Sequence, residues 1–168
     1  MRLFLAIQLN DSMRADLIKA QQTMQRLGVR GNYSRPENLH LTAAFIGEYS
    51  DPDYILDVLD QISFEPFRIR LNGIGSFGGL WWAGLSESPE LKALVKRIRR
   101  ALSDAGIPFD RKKFSPHITL IRKPISPDGS IPEAVLEHPF TGEMTVDHVS
   151  LMRSDRGKKG MIYTELFS

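Results

Sequence analysis

The spacing of apolar residues along the chain predicts strands and helices in alternation. Runs that are apolar, or that alternate as a half-buried strand does, occur at residues 2–9, 39–46, 67–71, 80–85, 116–122, 143–152 and 160–167. Apolar residues at helical spacing predict helices between Asn10 and Gly28, around residues 53–62, and between Ser88 and Gly106. The segments predicted to be loops are 31–38, a glycine-rich turn before residue 80, 123–139, and a hairpin loop at 154–159.

An internal repeat is found when the sequence is compared with itself at an offset of 77 positions. The aligned segments are Leu3–Ala6 with Leu80–Ala83, Leu17–Lys19 with Leu94–Lys96, and His40–Thr42 with His117–Thr119. One gapless offset therefore aligns a strand, a helix and a second strand. We expect two strand–helix–strand units related by a pseudo-two-fold axis. Such an axis would place the two His-x-Thr strands side by side, across a cleft.

Strand alternation predicts which side chains share a face. His40 and Thr42 point to one side of their strand, and the core side is expected to hold Leu39, Leu41, Ala43 and Phe45. His117 and Thr119 share a face in the same way, with Pro116, Ile118 and Leu120 opposite. Each unit thus places a polar pair on the open face of an apolar strand.

Two opposed histidines suit acid–base chemistry at a phosphorus atom. Histidine titrates near neutral pH, so one ring can accept a proton from the attacking water while the other protonates the leaving oxygen. The threonine hydroxyls could donate hydrogen bonds to the non-bridging oxygens. A single His-x-Thr is most simply a surface feature, but two copies at matched positions favour function. A two-histidine metal site lacks a third ligand at suitable spacing, so no metal is expected.

The segments PENLHLTAAFIGE and FSPHITLIR resemble the paired motifs of the 2H phosphoesterases, specifically the RNA 2′,3′-cyclic phosphodiesterases, or 2′-5′ RNA ligase-like proteins. The opening RLFLAI, LWWAGL and the closing YTELFS fit the same family. The resemblance implies an α+β fold in which the duplicated units form two antiparallel sheets, in a bilobal arrangement around a central cleft. It also implies metal-independent hydrolysis of terminal 2′,3′-cyclic phosphates to 2′-phosphomonoesters.

The resemblance assigns roles that the near-symmetry of the sequence leaves open. His40 matches the proton donor, His117 the proton acceptor, and Thr42 and Thr119 the phosphate-binding hydroxyls. Arg122 matches a further phosphate-binding residue, although strict alternation places it on the face opposite His117. Phe45 is at the equivalent offset in the first motif and is expected to pack in the core. Ala43 departs from the leucine common in the family, at a core position.

Length and composition limit the domain number, the kinds of site and the location that are expected. The chain of 168 residues is most simply a single domain, and the absence of cysteine excludes disulfides, thiolate metal sites and cysteine nucleophiles. The net charge of +2 permits an anionic substrate without requiring a general nucleic-acid binder. The short apolar N-terminus lacks signal-peptide features, and no run approaches the ~20 apolar residues of a membrane span. We expect a cytoplasmic monomer without cofactors.

Other sequence features are given structural roles. Gly73-x-Gly75-x-x-Gly78 has the form of a dinucleotide fingerprint but leads into a strand, so a turn or hairpin is expected. His138 and His148 have no repeat partner and are not expected to be catalytic. Tyr33 and Trp82 could stack on a base, but core packing is favoured for the tryptophan pair. Three basic groups are taken as solvated faces, of which the last two could contact RNA: 96–100, 111–113 and 156–159.

These observations favour one function over three alternatives. The first is hydrolysis of 2′,3′-cyclic phosphate at RNA ends or on small nucleotides. The alternatives are reversible 2′-5′ RNA ligation, hydrolysis of another cyclic or 2′-5′ phosphodiester, and a non-catalytic RNA-end-binding module. Two histidines at matched positions argue against binding alone, which needs no titrating pair.

Overall fold

The computed structural model describes residues 1–167, so Ser168, the last residue of YTELFS, lies outside the described part. The strands of this part are β1 (Arg2–Gln8), β2 (Arg30–Tyr33), β3 (His40–Glu48), β4 (Phe67–Phe77), β5 (Leu80–Leu85), β6 (Ile118–Ile125), β7 (Glu143–Val146), β8 (Ser150–Gly157) and β9 (Gly160–Phe167). Its α-helices are α1 (Asp11–Arg26), α2 (Pro52–Asp60), α3 (Pro89–Asp104) and α4 (Glu133–Leu136). A 3₁₀ turn, Pro36–Asn38, precedes β3.

The strands form two antiparallel sheets. The first has the order β3-β1-β8-β9 and the second the order β2-β6-β5-β4-β7. Helix α1 follows β1 of the first sheet but contacts β6 of the second. Helix α3 follows β5 of the second sheet but contacts β3 of the first. Each long helix thus packs against the strand of a His-x-Thr motif in the sheet opposite to its own preceding strand. The predicted α+β class with two antiparallel sheets is confirmed. The description as a single domain with two lobes and a 77-residue repeat stays a prediction.

Capping residues and apolar faces explain the two long helices. The Asn10 side chain accepts a hydrogen bond from the backbone N–H of Met13 at 2.8 Å, and Ser88 accepts from that of Leu91 at 3.2 Å. Gly28 and Gly106 follow the helices with positive φ, which lets the chain leave each helix. The buried faces join one core, contributing about 1.5–3 kcal/mol for each large side chain: Met13, Leu17 and Met24 of α1, and Leu91, Leu94, Val95, Ile98 and Leu102 of α3.

The structure corrects several predicted loops. Segment 31–38 contains most of β2 and the 3₁₀ turn, and segment 123–139 contains α4. The glycine-rich turn is mostly part of β4, and the predicted strand 143–152 is two strands. β2 was missed because it is a short, largely exposed strand that lacks apolar alternation and is stabilised by pairing with β6. Gly73 and Gly75 lie in β4 and Gly78 in the turn to β5, so the predicted hairpin is confirmed.

Strand β3, which begins at His40, and strand β6, which begins just after His117, each contain a β-bulge shortly after the threonine. Ala6 of β1 pairs with Thr42 and Leu5 with Ala44, so Ala43 is the extra residue in β3. In β6 the extra residue is Leu120, because its neighbours Thr119 and Ile121 pair with the adjacent residues Trp82 and Trp81. A bulge reverses the alternation beyond it, so side chains that a regular strand would send into the core turn the other way.

Candidate active site

The two sheets enclose a cleft of about 1100 Å³. The predicted site residues are brought together in its lining: His40, Thr42, His117, Thr119 and Arg122. His40 and Thr42 come from β3, at the edge of the first sheet, and the others from the β6 segment of the second, which contacts β3. The structure thus brings these five side chains to one cleft, including Arg122, which strict alternation had placed on the opposite face. Their chemical roles stay predictions.

His40 is held on both ring nitrogens. Its Nδ1 lies 2.7 Å from the carbonyl oxygen of Asn38, which can only accept, so Nδ1 carries a proton. Its Nε2 lies 2.8 Å from Thr42 Oγ1. Burial lowers the pKa of His40 below its ordinary value, and the nearby charges of Arg122 and His117 lower it further, whereas the Asn38 contact opposes them. A neutral ring with Nε2 unprotonated is thus favoured in the free protein.

Aromatic rings surround His40. Its ring centroid lies 5.0 Å from that of Phe4 and 5.2 Å from that of Tyr163, which is perpendicular to it. Phe4 and Tyr163 also contact each other, at 5.1 Å. With Met152 and Phe45 they belong to a small apolar cluster beneath the cleft. These rings fix the His40 plane and exclude water from it, which explains the effect of burial on its pKa.

His117 repeats one of these contacts in a more open setting. Its Nδ1 lies 2.7 Å from the carbonyl oxygen of Ser115, so here too Nδ1 carries a proton and Nε2 is the remaining ring nitrogen. The Phe77 ring is roughly perpendicular to the imidazole, with the two ring centroids 4.9 Å apart, and Phe77 is itself 43% exposed. His117 is half-buried and just precedes β6.

The bulges decide where Arg122 and Phe45 point. Beyond Leu120 the alternation of β6 is reversed, so Arg122 lines the cleft with His117 rather than lying on the opposite face. Beyond Ala43 the same reversal places Phe45 in the cleft wall, where Arg2 stacks over its ring at 5.1 Å. Phe45 therefore packs against the small apolar cluster, as expected of a core residue, and also forms part of the cleft wall, which strict alternation did not predict.

The cleft wall is basic. Its lining within residues 1–167 includes no Asp or Glu but five cations: Arg2, Arg35, Arg122, Arg156 and Lys159. Arg156 and Lys159 come from the basic group 156–159 that the sequence marked as a candidate RNA contact. Arg2 and Arg35 were missed, because single arginines far apart in sequence carry no local signal. The other group marked for RNA contact, 111–113, is exposed and does not line the cleft.

The hairpin of β8 and β9 is tied to the segment that precedes His40. Arg35 donates a hydrogen bond through Nη2 to the carbonyl of Lys159, and Asn38 donates through Nδ2 to that of Met161 at 2.9 Å. Asn38 thus contacts the hairpin with its side chain and His40 with its carbonyl. The hairpin consequently forms a fixed wall of the cleft.

The remaining histidines lie elsewhere. His138 contacts Asp16 at 2.9 Å and His148 contacts Asp147 at 2.6 Å, both outside the cleft lining. Trp81 is buried as expected, whereas Trp82 is half-buried beneath Phe77. In residues 1–167 no three of the His, Cys, Asp and Glu side chains converge as metal ligands would. No helix in that range is long and apolar enough to span a membrane.

The chain is similar to known proteins in both sequence and fold. Residues 14–158 match the family model described as the 2′-5′ RNA ligase superfamily. The RNA 2′,3′-cyclic phosphodiesterase of Archaeoglobus fulgidus is 33% identical over 99% of this chain and 98% of its own. That of Thermus thermophilus is 34% identical over 99% of this chain and 88% of its own. The crystal structure of E. coli LigT complexed with 3′-AMP has a TM-score of 0.80 at 27% identity, covering 98% and 94% of the two chains.

Proposed function

This chain belongs to the 2′-5′ RNA ligase superfamily, and on that premise we propose that it hydrolyses 2′,3′-cyclic phosphates of RNA ends or nucleotides to 2′-phosphomonoesters. The relatives at 33% and 34% identity bear the name of that phosphodiesterase activity. The observation that carries the proposal is the matched pair of imidazoles in one cleft, each with Nδ1 on a backbone carbonyl at 2.7 Å. In both rings Nε2 is therefore the nitrogen left for proton transfer, and in His40 it is shared with Thr42 Oγ1 at 2.8 Å.

In the proposed reaction, water attacks phosphorus while the bond from phosphorus to O3′ breaks. Nε2 of His117 accepts the proton of the water, and Nε2 of His40 protonates the departing O3′. Attacking and leaving oxygens lie roughly in line through phosphorus, which is why opposed histidines suit the reaction. The products are a 2′-phosphate and a free 3′-hydroxyl, so one proton enters and one leaves. The assignment of His40 as donor and His117 as acceptor follows the family resemblance of the two motifs.

The donor role requires His40 to be protonated, although its pKa is lowered in the free protein. A bound phosphate carries negative charge close to the ring, and such a charge favours the imidazolium. It also offsets the charges of Arg122 and His117, which disfavour the imidazolium. We therefore expect substrate binding to raise the pKa of His40, so that the imidazolium donor forms when the phosphate is bound.

Thr42, Thr119 and Arg122 would bind the non-bridging oxygens of the phosphate. Their side chains line the cleft with the histidines. The one hydroxyl proton of Thr42 faces Nε2 of neutral His40, so Thr42 can donate to the phosphate once that nitrogen is protonated. Hydroxyl and guanidinium donors stabilise the charge that these oxygens carry as the bonds to phosphorus change. A guanidinium can also bind two oxygens at once. This site needs no metal in the proposed scheme.

The basic wall supports a nucleotide or RNA end as the substrate. Five cations line the cleft of a chain whose net charge is only +2, so positive charge is concentrated there. Such focusing attracts phosphates that flank the reacting one. The same cleft could admit a 5′-hydroxyl in place of water, which would give a 2′-5′ linkage, and this remains the alternative.

The test is turnover of a cyclic-phosphate-ended oligonucleotide in excess EDTA, by wild type, His40→Ala and His117→Ala. A 2′-phosphate product, full activity in EDTA and losses of about 10²–10⁴-fold in each variant are expected. Binding without turnover would instead support the RNA-end-binding module. Loss of wild-type activity in EDTA would contradict the metal-free scheme. A 2′-5′ linked product with a 5′-hydroxyl oligonucleotide would favour ligation.

A further inference from the structure

The bulge of β6 has an unusual arrangement of carbonyl groups. Successive carbonyls of a regular strand point to opposite sides. Here the carbonyls of both Thr119 and Leu120 accept hydrogen bonds from Ser34, through its Oγ at 2.7 Å and its backbone N–H at 3.0 Å. Two consecutive carbonyls are thus held on the side of β2, which is the local backbone change that reverses the alternation ahead of Arg122.

Gln21 supplies a further hydrogen bond to this bulge from α1. Its side-chain Nε2 donates to the carbonyl of Leu120 at 3.0 Å and to that of Ser34 at 2.9 Å. Gln21 is 6% exposed, in a face of α1 that is otherwise mostly apolar. A buried amide needs such partners, and buried carbonyls left without one cost stability. Gln21 therefore joins three backbone segments at the point where β6 is irregular.

We propose that Gln21 is a positioning residue for Arg122, acting through the Leu120 carbonyl. Its amide stabilises the bulge, and the bulge places the guanidinium in the cleft with His117 and Thr119. A regular β6 would turn Arg122 to the face opposite Thr119. The role of Arg122 in binding phosphate rests on the proposed function, whereas its placement by Gln21 through the bulge does not. Gln21 lies outside the cleft lining, so it acts without touching substrate.

The other sheet has a comparable contact. Nε of Arg99, in α3, lies 3.5 Å from the carbonyl of Ala43, the extra residue of the β3 bulge. Each long helix thus directs a polar side chain to the bulge of the strand it packs against in the other sheet. The Arg99 contact is longer than the Gln21 contact. The side chain that the β3 bulge turns towards the cleft is that of Phe45, which has no charge to bind a phosphate. The functional consequence is accordingly assigned to Gln21 alone.

The test is a double-mutant cycle between Gln21→Met and Arg122→Ala, with Gln25→Met as the control. Methionine keeps the length and apolar stem of Gln21 but donates no hydrogen bond, and Gln25 is an exposed residue of the same helix. The measured quantities are kcat/KM for a 2′,3′-cyclic nucleotide and Kd for adenosine 2′-monophosphate. Arg122→Ala is expected to lower kcat/KM and to raise Kd, each about 10- to 100-fold. Gln21→Met is expected to change each in the same direction about 10-fold. In the Arg122→Ala background, Gln21→Met should change neither by more than about 2-fold.

Effects of Gln21→Met that are the same in both backgrounds would overturn the proposal, since they would reflect stability alone. So would a lower Tm with unchanged kcat/KM and Kd. The Kd series needs no turnover, so it decides the role of Gln21 even if cyclic-phosphate hydrolysis is absent and the proposed function fails.

A crystal structure of Gln21→Met gives a readout that needs neither activity nor binding. Arg122 should leave the cleft face, and an unchanged bulge with Arg122 in place would contradict the proposal. Should Gln21→Met fail to fold, Ser34→Ala removes the hydrogen bond to the Thr119 carbonyl. Because Ser34 itself lines the cleft, its readout is the crystallographic position of Arg122 rather than binding. Arg122 should again leave the cleft face, and an unchanged bulge with Arg122 in place would contradict the proposal.

Discussion

His40 and His117 make the same backbone contact in unequal surroundings. Each Nδ1 lies 2.7 Å from the carbonyl oxygen two residues earlier in the chain. Around His40, however, Phe4 and Tyr163 pack against the ring, and Thr42 occupies its second nitrogen at 2.8 Å. One local backbone geometry thus orients both rings, while the surroundings make the two chemically different.

The first prediction concerns the titration of His40. Because its pKa is lowered, the ring is protonated only below its ordinary value near 6.5, and protonation is lost as the pH rises through the lowered pKa. If His40 is the proton donor, kcat/KM should fall over that same range. NMR titration of the free protein should give a His40 pKa below that ordinary value, and Arg122→Gln should raise it by removing a nearby charge. A kcat/KM profile flat from about pH 5 to 9 would contradict acid–base catalysis by these histidines.

The two threonines are predicted to have separable effects. Thr42→Val and Thr119→Val should each lower kcat/KM about 10²-fold, since each removes a donor to the phosphate. Of the two threonines, only Thr42 forms a hydrogen bond with a histidine ring in the described residues, so only Thr42→Val should move the ¹⁵N chemical shift of His40 Nε2. Equal shifts in both variants would show that the change spreads through the strands rather than through this contact.

The basic wall is predicted to select longer substrates. Arg156→Ala and Lys159→Ala should lower kcat/KM for a cyclic-phosphate-ended oligonucleotide several-fold, and less for a 2′,3′-cyclic mononucleotide, because only the former has further phosphates. Lys158→Ala is the matched control, since Lys158 is exposed in the same turn but does not line the cleft. Raised salt should narrow the difference between wild type and these two variants. Equal losses on both substrates would place the two side chains at the reacting phosphate instead.

Asp16 is predicted to be a major source of stability outside the site. Its carboxylate accepts hydrogen bonds from His138 Nε2 at 2.9 Å and from the backbone N–H groups of Thr141 and Gly142 at 2.7 and 2.8 Å. Asp16→Ala should lower the free energy of unfolding at pH 7 by about 2–4 kcal/mol, because buried donors lose a charged partner. Asp57→Ala, at an exposed position of α2, should have little effect.

The pH dependence of that loss has a defined sign. Burial raises the pKa of Asp16, but the hydrogen bonds of His138, Gly142 and Thr141 outweigh it, and the pKa is lowered overall. The stabilisation is therefore complete above the ordinary value of 3.8 and is lost as the pH falls through the lowered pKa. Urea unfolding of wild type and Asp16→Ala should differ less at about pH 2.5 than at pH 7. A difference independent of pH would mean that the charge of Asp16 does not matter.

The sequence predicted the parts of this molecule that depend on local pattern. The long helices follow from Asn10 and Ser88 as caps and from apolar spacing, and the strands from apolar runs. The two His-x-Thr motifs identified the cleft, because paired polar residues on apolar strands have few structural reasons to recur. These features are each contained within a few neighbouring residues.

What the sequence did not predict depends on single-residue insertions or on distant partners. A bulge adds one residue without any change of composition, so alternation failed at Phe45 and left Arg122 on the wrong face. β2 depends on its partner strand rather than on its own apolar residues. Arg2 and Arg35 enter the cleft only because β1 lies beside β8 and Arg35 bonds to the turn between β8 and β9. Such juxtapositions have no local signature.

The strand order of the first sheet also sets when this molecule can be completed during synthesis. Because β1 pairs with β8, Leu3 has no partner until Arg153 has been synthesised. Tyr163 of β9, which packs against His40, is synthesised later still. Domains generally fold as units while the chain emerges from its N-terminal end. The nascent chain must therefore carry an unfinished sheet edge at β1 until β8 is made. His40 acquires its complete surroundings only after nearly all of the described residues have been translated.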